Sequence, residues 1–207
     1  MIVIIDYGVG NLSSIRNMLK KGGVNALISG KEDDVIHATK LLLPGMGHFD
    51  NCMKKLEASG LRQTIEKKIL REKTPVLGIC VGLQMFMESS EEGVEKGLGW
   101  ISGKTVRFNT KKMNAGLKVP NMGWLEAIVK KPSRLMEGLE KEARFYFAHS
   151  YHIELEQANQ HDLLIEGYYG YNFAVGLERN NIVGVQFHPE KSHRFGLRLL
   201  NNFAVNF

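Results

Sequence analysis

Thr74-Pro-Val-Leu-Gly-Ile-Cys-Val-Gly-Leu-Gln-Met-Phe-Met87 is the stretch from which the rest of the chain can be read. Pro75 followed by the apolar run Val76 to Ile79 has the form of a buried parallel strand, because proline is tolerated in a sheet only at a first residue or an edge. Gly78 and Gly82 stand two residues to either side of Cys80, and Leu83 to Met87 are good helix formers. Strand, sharp turn and helix with a thiol at the bend make the nucleophile-elbow pattern, with cysteine in place of serine. The glycines have a steric reason: the turn brings backbones together where side chains would clash. A helix starting here is expected to aim its unpaired N–H groups and positive dipole end at Cys80, and both favour the reactive thiolate. Taken alone, the same five residues equally describe a small buried cysteine, so the remaining segments have to decide.

The 207 residues suffice for one domain with a full core, and residues 1–207 are expected to form a single unit. Two cysteines in so long a chain argue against a disulfide framework and for a reducing compartment. Met1-Ile-Val-Ile-Ile-Asp6 lacks the basic region of a signal peptide, and no apolar run approaches membrane-spanning length, so the expectation is a cytoplasmic protein with no membrane association. The formal charge of +5 comes partly from Lys104, Arg107, Lys111, Lys112, Lys118, Lys130 and Lys131, but no aromatic pattern interleaves with them as in nucleic-acid modules. A phosphorylated small molecule or an acidic partner face is the better use for that charge, and no nucleic acid is expected.

Taken in order, Ile2 to Ile5 is a β-branched run that reads as a buried strand. Asp6-Tyr-Gly-Val-Gly-Asn11 is turn chemistry, and Leu12 to Lys20 has helical spacing. Gly8-x-Gly10-x-x-Ser13 is only half of a dinucleotide fingerprint; the alternative is a loop that presents backbone and Asn11 at a strand's carboxyl end. Val24 to Ile28 and Leu41 to Leu43 read as the next strands, the second ended by Pro44-Gly-Met-Gly47, a turn whose glycines leave backbone N–H groups free to act as oxyanion donors. Phe49 to Leu56 and Leu61 to Leu70 read as amphipathic helices, with Cys52 as packing in the first. Beyond Trp100 short strands dominate: Thr105 to Phe108, Lys118 to Val119, Trp124 to Val129, Phe145 to Tyr151, Leu163 to Tyr169, Ala174 to Leu177 and Ile182 to Phe187. Pro132 to Glu137 reads as a short helical turn, and Ser192 to Phe203 closes as a helix. The first half should therefore form a mostly parallel sheet with helices on both sides, and the second half should be more antiparallel.

Val183-Gly-Val-Gln-Phe-His-Pro-Glu-Lys191 ends a strand with an acid–base pair. Pro189 holds His188 extended, and residues i and i+2 of an extended segment project to one side, so Glu190 is expected beside His188 as the orienter of a base. On its own this is also an ordinary surface turn; an elbow cysteine earlier in the chain favours the chemical reading. His149 and His152 would face opposite sides of a strand, which argues against a shared metal, and no other spacing matches a zinc site. His37, His48, His161 and His193 read as surface residues.

Gly78-Ile-Cys-Val-Gly-Leu-Gln84, Pro44-Gly-Met-Gly47 and Gln186-Phe-His-Pro-Glu190 together resemble the class-I, triad-type glutamine amidotransferases. More narrowly, Asp6 to Leu12, Pro120-Asn-Met-Gly-Trp124, His149-Ser-Tyr151 and Gln186 to Ser192 resemble the glutaminase subunits of imidazole glycerol phosphate synthases, over essentially the whole chain. The resemblance implies a flavodoxin-like α/β fold, with a mostly parallel sheet flanked by helices and an antiparallel section in the C-terminal half. It implies that Cys80 attacks the side-chain amide of glutamine, with His188 moving protons and Glu190 holding it. Val81 and the Met46–Gly47 loop would supply oxyanion donors, and Gly45, Gln84, Ser150 and Tyr151 would bind substrate. It implies no cofactor and no metal. The implied partner is a (β/α)8-barrel cyclase in a heterodimer that receives the ammonia, with Asn11 and Trp124 at the interface. Members of the family commonly carry histidine and asparagine where this chain has Asn121 and Leu125, and Leu125 is expected to remove a polar side chain near that interface. A paralogous glutaminase serving another synthase, such as one for bacterial surface sugars, a stand-alone γ-glutamyl hydrolase and a silent binding subunit remain as alternatives.

Overall fold

A computed structural model describes residues 1–113 and 116–207. The amino-terminal half alternates strand and helix: β1 (Ile2–Ile5), α1 (Leu12–Lys21), β2 (Ala26–Ser29), α2 (Glu32–Ile36), β3 (Lys40–Gly45), α3 (Phe49–Ala58), α4 (Arg62–Glu66), β4 (Val76–Cys80) and α5 (Val81–Gln84). The rest is mainly strand: β5 (Ser89–Ser90), β6 (Gly103–Arg107), β7 (Asn121–Glu126), β8 (Ile128–Val129), β9 (Arg144–His149), β10 (Tyr151–Leu155), β11 (Leu163–Tyr168), β12 (Asn172–Arg179) and β13 (Ile182–Val185), closed by α6 (His193–Asn206).

Among the described residues, eleven strands make one sheet in the order β2-β1-β3-β4-β13-β12-β10-β6-β5, with β11 branching from β12 and β8 pairing with β11. Pairing is parallel from β2 to β13 and antiparallel from β13 to β6. β1, β4 and β13 are buried along their whole length, which is why their sequences are continuous apolar runs rather than alternating ones. Each such Val, Ile or Leu taken fully out of water contributes about 1.5–3 kcal/mol. β7 and β9 form a separate antiparallel ribbon. No helix among the described residues is long and apolar enough to cross a membrane.

Several expected boundaries move, each for a tertiary reason. The elbow helix is a single turn: after Gln84 the backbone turns back, and Leu98 and Ile101 donate to the carbonyls of Met85 and Phe86. The helix expected from Leu61 to Leu70 passes into a π turn at Lys67–Arg71. Lys118 and Val119 are not strand; Pro120 lacks the N–H a ladder needs, and pairing begins at Asn121. The strand expected from Phe145 to Tyr151 breaks at Ser150, because the residues before it pair with β7 and those after it with β6. α2 carries no clear apolar period in its five residues and is absent from the sequence reading.

Candidate active site

β4 lies between β3 and β13, and the register sets Gly45 opposite Cys80 and Val185 opposite Ile79, so three strands end together. Cys80 adopts φ 56° and ψ −114°, a conformation that costs a non-glycine residue about 1–3 kcal/mol and throws its side chain out of the strand direction. The glycines around it are required by packing. A Cβ on Gly82 would stand 1.9 Å from the Leu43 carbonyl oxygen, and one on Gly45 would stand 2.4 Å from the Gly82 nitrogen. β3 and the elbow thus touch backbone to backbone, and Gly45 serves that contact; it is not among the residues lining the cavity described below.

β13 carries the chain through Gln186 and Phe187 to His188, whose backbone N–H donates to the Tyr146 carbonyl at 2.9 Å. His188 Nδ1 lies 2.9 Å from Glu190 Oε1, with both residues buried. The contact is as expected but its geometry is not: Glu190 sits in a 3-10 turn, Pro189–Lys191, that folds the carboxylate back under the ring instead of along an extended segment. Ser192 Oγ donates to the His188 carbonyl at 2.6 Å and ties the turn down. Burial by itself lowers the His188 pKa; hydrogen bonds to Cys80 and Glu190, and the negative charge of each, overcome that and raise it to about 10. With Nδ1 on the carboxylate, Nε2 is the nitrogen left for the sulfur.

Cys80 opens on a cavity of about 340 Å³. Met46 and Gly47 line it from the loop after β3, Val81 and Gln84 from the elbow, and Ala148 to Tyr151 from the end of β9 and the bend that follows. Glu92, Pro120, His188 and Lys191 complete the wall. Of the residues singled out in the sequence, Cys80, His188, Glu190, Val81, Met46, Gly47, Gln84, Ser150 and Tyr151 therefore converge. Asn11 and Trp124 lie outside the cavity: Asn11 precedes α1 and accepts from Ser14, and Trp124 is 37% exposed and stacked flat on His193 with centroids 5.4 Å apart. Cys52 is fully buried, as expected, and its thiol also reaches the Met46 carbonyl at 3.5 Å, beneath the loop.

Two residues of the site carry little signal in the sequence. Glu92 falls in a polar run that reads as a helix stop, yet it lines the cavity and accepts from the Phe49 N–H at 2.8 Å. Gln186 sits inside the histidine motif, and its full burial brings its amide nitrogen to 3.7 Å from the Cys80 sulfur. His149 is held neutral: burial is the main cause of a pKa lowered to about 3, His152 and His188 add to it, and the bond to the Tyr151 carbonyl opposes it. Its ring nitrogens are taken by that carbonyl at 2.7 Å and by Asn121 at 3.1 Å; those of His152 face Ile153 O and Tyr171 OH. Among the described residues no cluster of three or more His, Cys, Asp or Glu is placed to hold a metal.

A strained thiol, an imidazole and a carboxylate in a row, beside free backbone N–H groups at the first turn of α5, can open a carbonyl compound through a covalent thioester. The family model Glutamine amidotransferase class-I matches residues 3–207. The imidazole glycerol phosphate synthase subunit HisH of Leptospira interrogans is 47% identical over 99% of both chains. Subunit HisH 2 of Methanococcus maripaludis is 45% identical over 98% of both. PurLQS from Thermotoga maritima is similar in fold, with a TM-score of 0.72 at 17% identity over 98% of this chain and 95% of that one.

Proposed function

Since the chain belongs to the class-I glutamine amidotransferase family, we propose that it is the glutaminase subunit of an imidazole glycerol phosphate synthase. The observation that carries the mechanism is that Cys80 and His188 line one cavity, with the Glu190 carboxylate on the His188 Nδ1 behind the ring. The sulfur attacks the side-chain amide carbon of glutamine. The carbon–nitrogen bond breaks, and ammonia leaves with a proton from His188. Water then gives a proton back to His188 and its oxygen to the thioester carbon, releasing glutamate and restoring the sulfur. Glutamine and water are consumed; glutamate and ammonia are formed.

Val81 N–H is the oxyanion donor that an elbow offers. The Met46–Gly47 loop supplies the second after a peptide reorientation, and a loop that turns only in the complex gates turnover, since one such donor is worth about 10²–10³ in rate. Gln84, Ser150 and Tyr151 hold the substrate, with Glu92 the carboxylate available to its α-ammonium group. The ammonia passes to a cyclase subunit with a (β/α)8 barrel, docked on the face that carries Asn11, Trp124 and the Pro44–Gly47 loop. Asn121 and Leu125, where the chain departs from the usual family pattern, leave the outward face of β7 unchanged: Asn121 is buried on His149 and Leu125 packs on the core. With the co-encoded cyclase and its ligand, Cys80→Ala is expected to lower glutamate release at least about 10³-fold while ammonia-dependent cyclisation persists. Stimulated glutamate release that survives the substitution refutes the mechanism.

A further inference from the structure

Cys80 has a second polar neighbour besides His188: the amide nitrogen of Gln186, which lies just past the end of β13. Which end of that amide faces the sulfur follows from its surroundings. The Tyr151 backbone carbonyl only accepts, so Gln84, 3.0 Å away, turns its NH2 toward it. The second hydrogen of that NH2 goes to Gln186 at 3.0 Å, so Gln186 gives its oxygen to Gln84 and its nitrogen to Cys80. The carbonyl is itself anchored. Neutral His149 donates to it through Nδ1 at 2.7 Å, and Asn121 donates to His149 Nε2 at 3.1 Å. Asn121, His149, Gln84 and Gln186 are all buried, and together with the carbonyl they form a row of defined direction that ends in an N–H on the sulfur.

We propose that Gln186 acts on the nucleophile: its side-chain N–H donates to the Cys80 sulfur, holds it in line with His188 and stabilises it as the anion. This rests on Cys80 being the nucleophile of the glutaminase. A hydrogen bond to the charged form of a group favours that form, and a donor fixed in advance does so without rearrangement during the reaction. His188 changes its protonation twice in each turnover. Gln186 never does, so the sulfur keeps one constant donor through both half-reactions. The ionisable groups around the sulfur are His188 with Glu190 behind it, Tyr7 and Cys52 beneath, and His149, Glu92 and Lys191 around the cavity, and replacing Gln186 removes none of them.

The test is the pH dependence of Cys80 alkylation by iodoacetamide on the full-length chain, with the Cys80 peptide quantified by mass spectrometry so that Cys52 does not contribute. Gln186→Met keeps volume and neutrality and removes the donor; Gln186→Leu is the second variant, and the circular dichroism of each is compared with that of the parent. The midpoint of alkylation is expected to move up by about one pH unit in both. Cyclase-stimulated kcat is expected to fall about tenfold, with KM for glutamine within about twofold. A midpoint that stays where it is in the folded variants overturns the proposal, whatever happens to kcat. A raised KM with an unmoved midpoint also overturns it, assigning Gln186 to the support of Gln84 alone. Stimulated activity retained in Cys80→Ala overturns both the proposal and the mechanism beneath it, whereas an unmoved midpoint with inactive Cys80→Ala leaves the mechanism standing.

Discussion

His188 and His149 line the same cavity and are driven in opposite directions by what touches them. His149 meets burial and like charge and is lowered to about 3. His188 is buried too, but the sulfur and the Glu190 carboxylate outweigh burial and lift it to about 10. Because that value lies above the ordinary 6.5, its contribution to stability is complete below about 6.5 and is lost as the pH rises through about 10. His149 acts in the other sense, its contribution being present above about 6.5 and lost as the pH falls toward about 3. Glu190→Gln removes one of the negative charges on His188 and should lower the His188 midpoint by more than about one pH unit, read from its imidazole resonances by NMR. An unchanged midpoint would leave the sulfur as the sole cause. The pairing of His188 with Glu190 is legible from their separation by one proline, although the turn that makes the contact is not. A 3-10 turn and a short extended segment look alike over three residues, and Ser192 selects between them from outside.

The elbow is the element on which the site depends, and its demands are visible in the chain as glycines. Gly82→Ala would drive a Cβ into the Leu43 carbonyl, a backbone atom that cannot turn away. A loss of at least about 3 kcal/mol in urea denaturation is expected, at the upper end of ordinary overpacking. A Gly82→Ala protein of parental stability would mean that β3 and the elbow do not meet. The length of α5 was beyond local reading: Leu83 to Met87 have good helix propensity, but propensity is a weak prior, and bonds from Leu98 and Ile101 hold the carbonyls of Met85 and Phe86. In the β7–β9 ribbon, alternation decides which residues face outward. Met122 and Trp124 point out, while Asn121 and Leu125 point in, so the expected loss of a polar interface group at Leu125 is a substitution within the packed face.

At the scale of the whole molecule, the exposed apolar side chains Met46, Met122 and Trp124 are features of the face proposed for the cyclase. Trp124 is anchored by stacking on His193, which prepares it for contact at little further cost in order. Trp124→Ala should weaken association with the cyclase at least about 30-fold by calorimetry, as hot-spot tryptophans do, without altering the alkylation of Cys80. Unchanged affinity would move the docking face elsewhere. The basic surface is partly neutralised within the chain, Lys104 pairing with Glu154 at 3.4 Å and Lys130 with Glu166 at 3.2 Å. By itself the sequence determined the parallel half of the sheet, the elbow and the pairing of His188 with Glu190, because hydrophobic period, glycine sterics and residue chemistry are local properties. Only the tertiary structure decided that Glu92 and Gln186 join them, that Gly45 serves packing, and that Asn121 looks inward. Those outcomes depend on which strands lie side by side and which buried polar groups must find partners, and distant segments settle both.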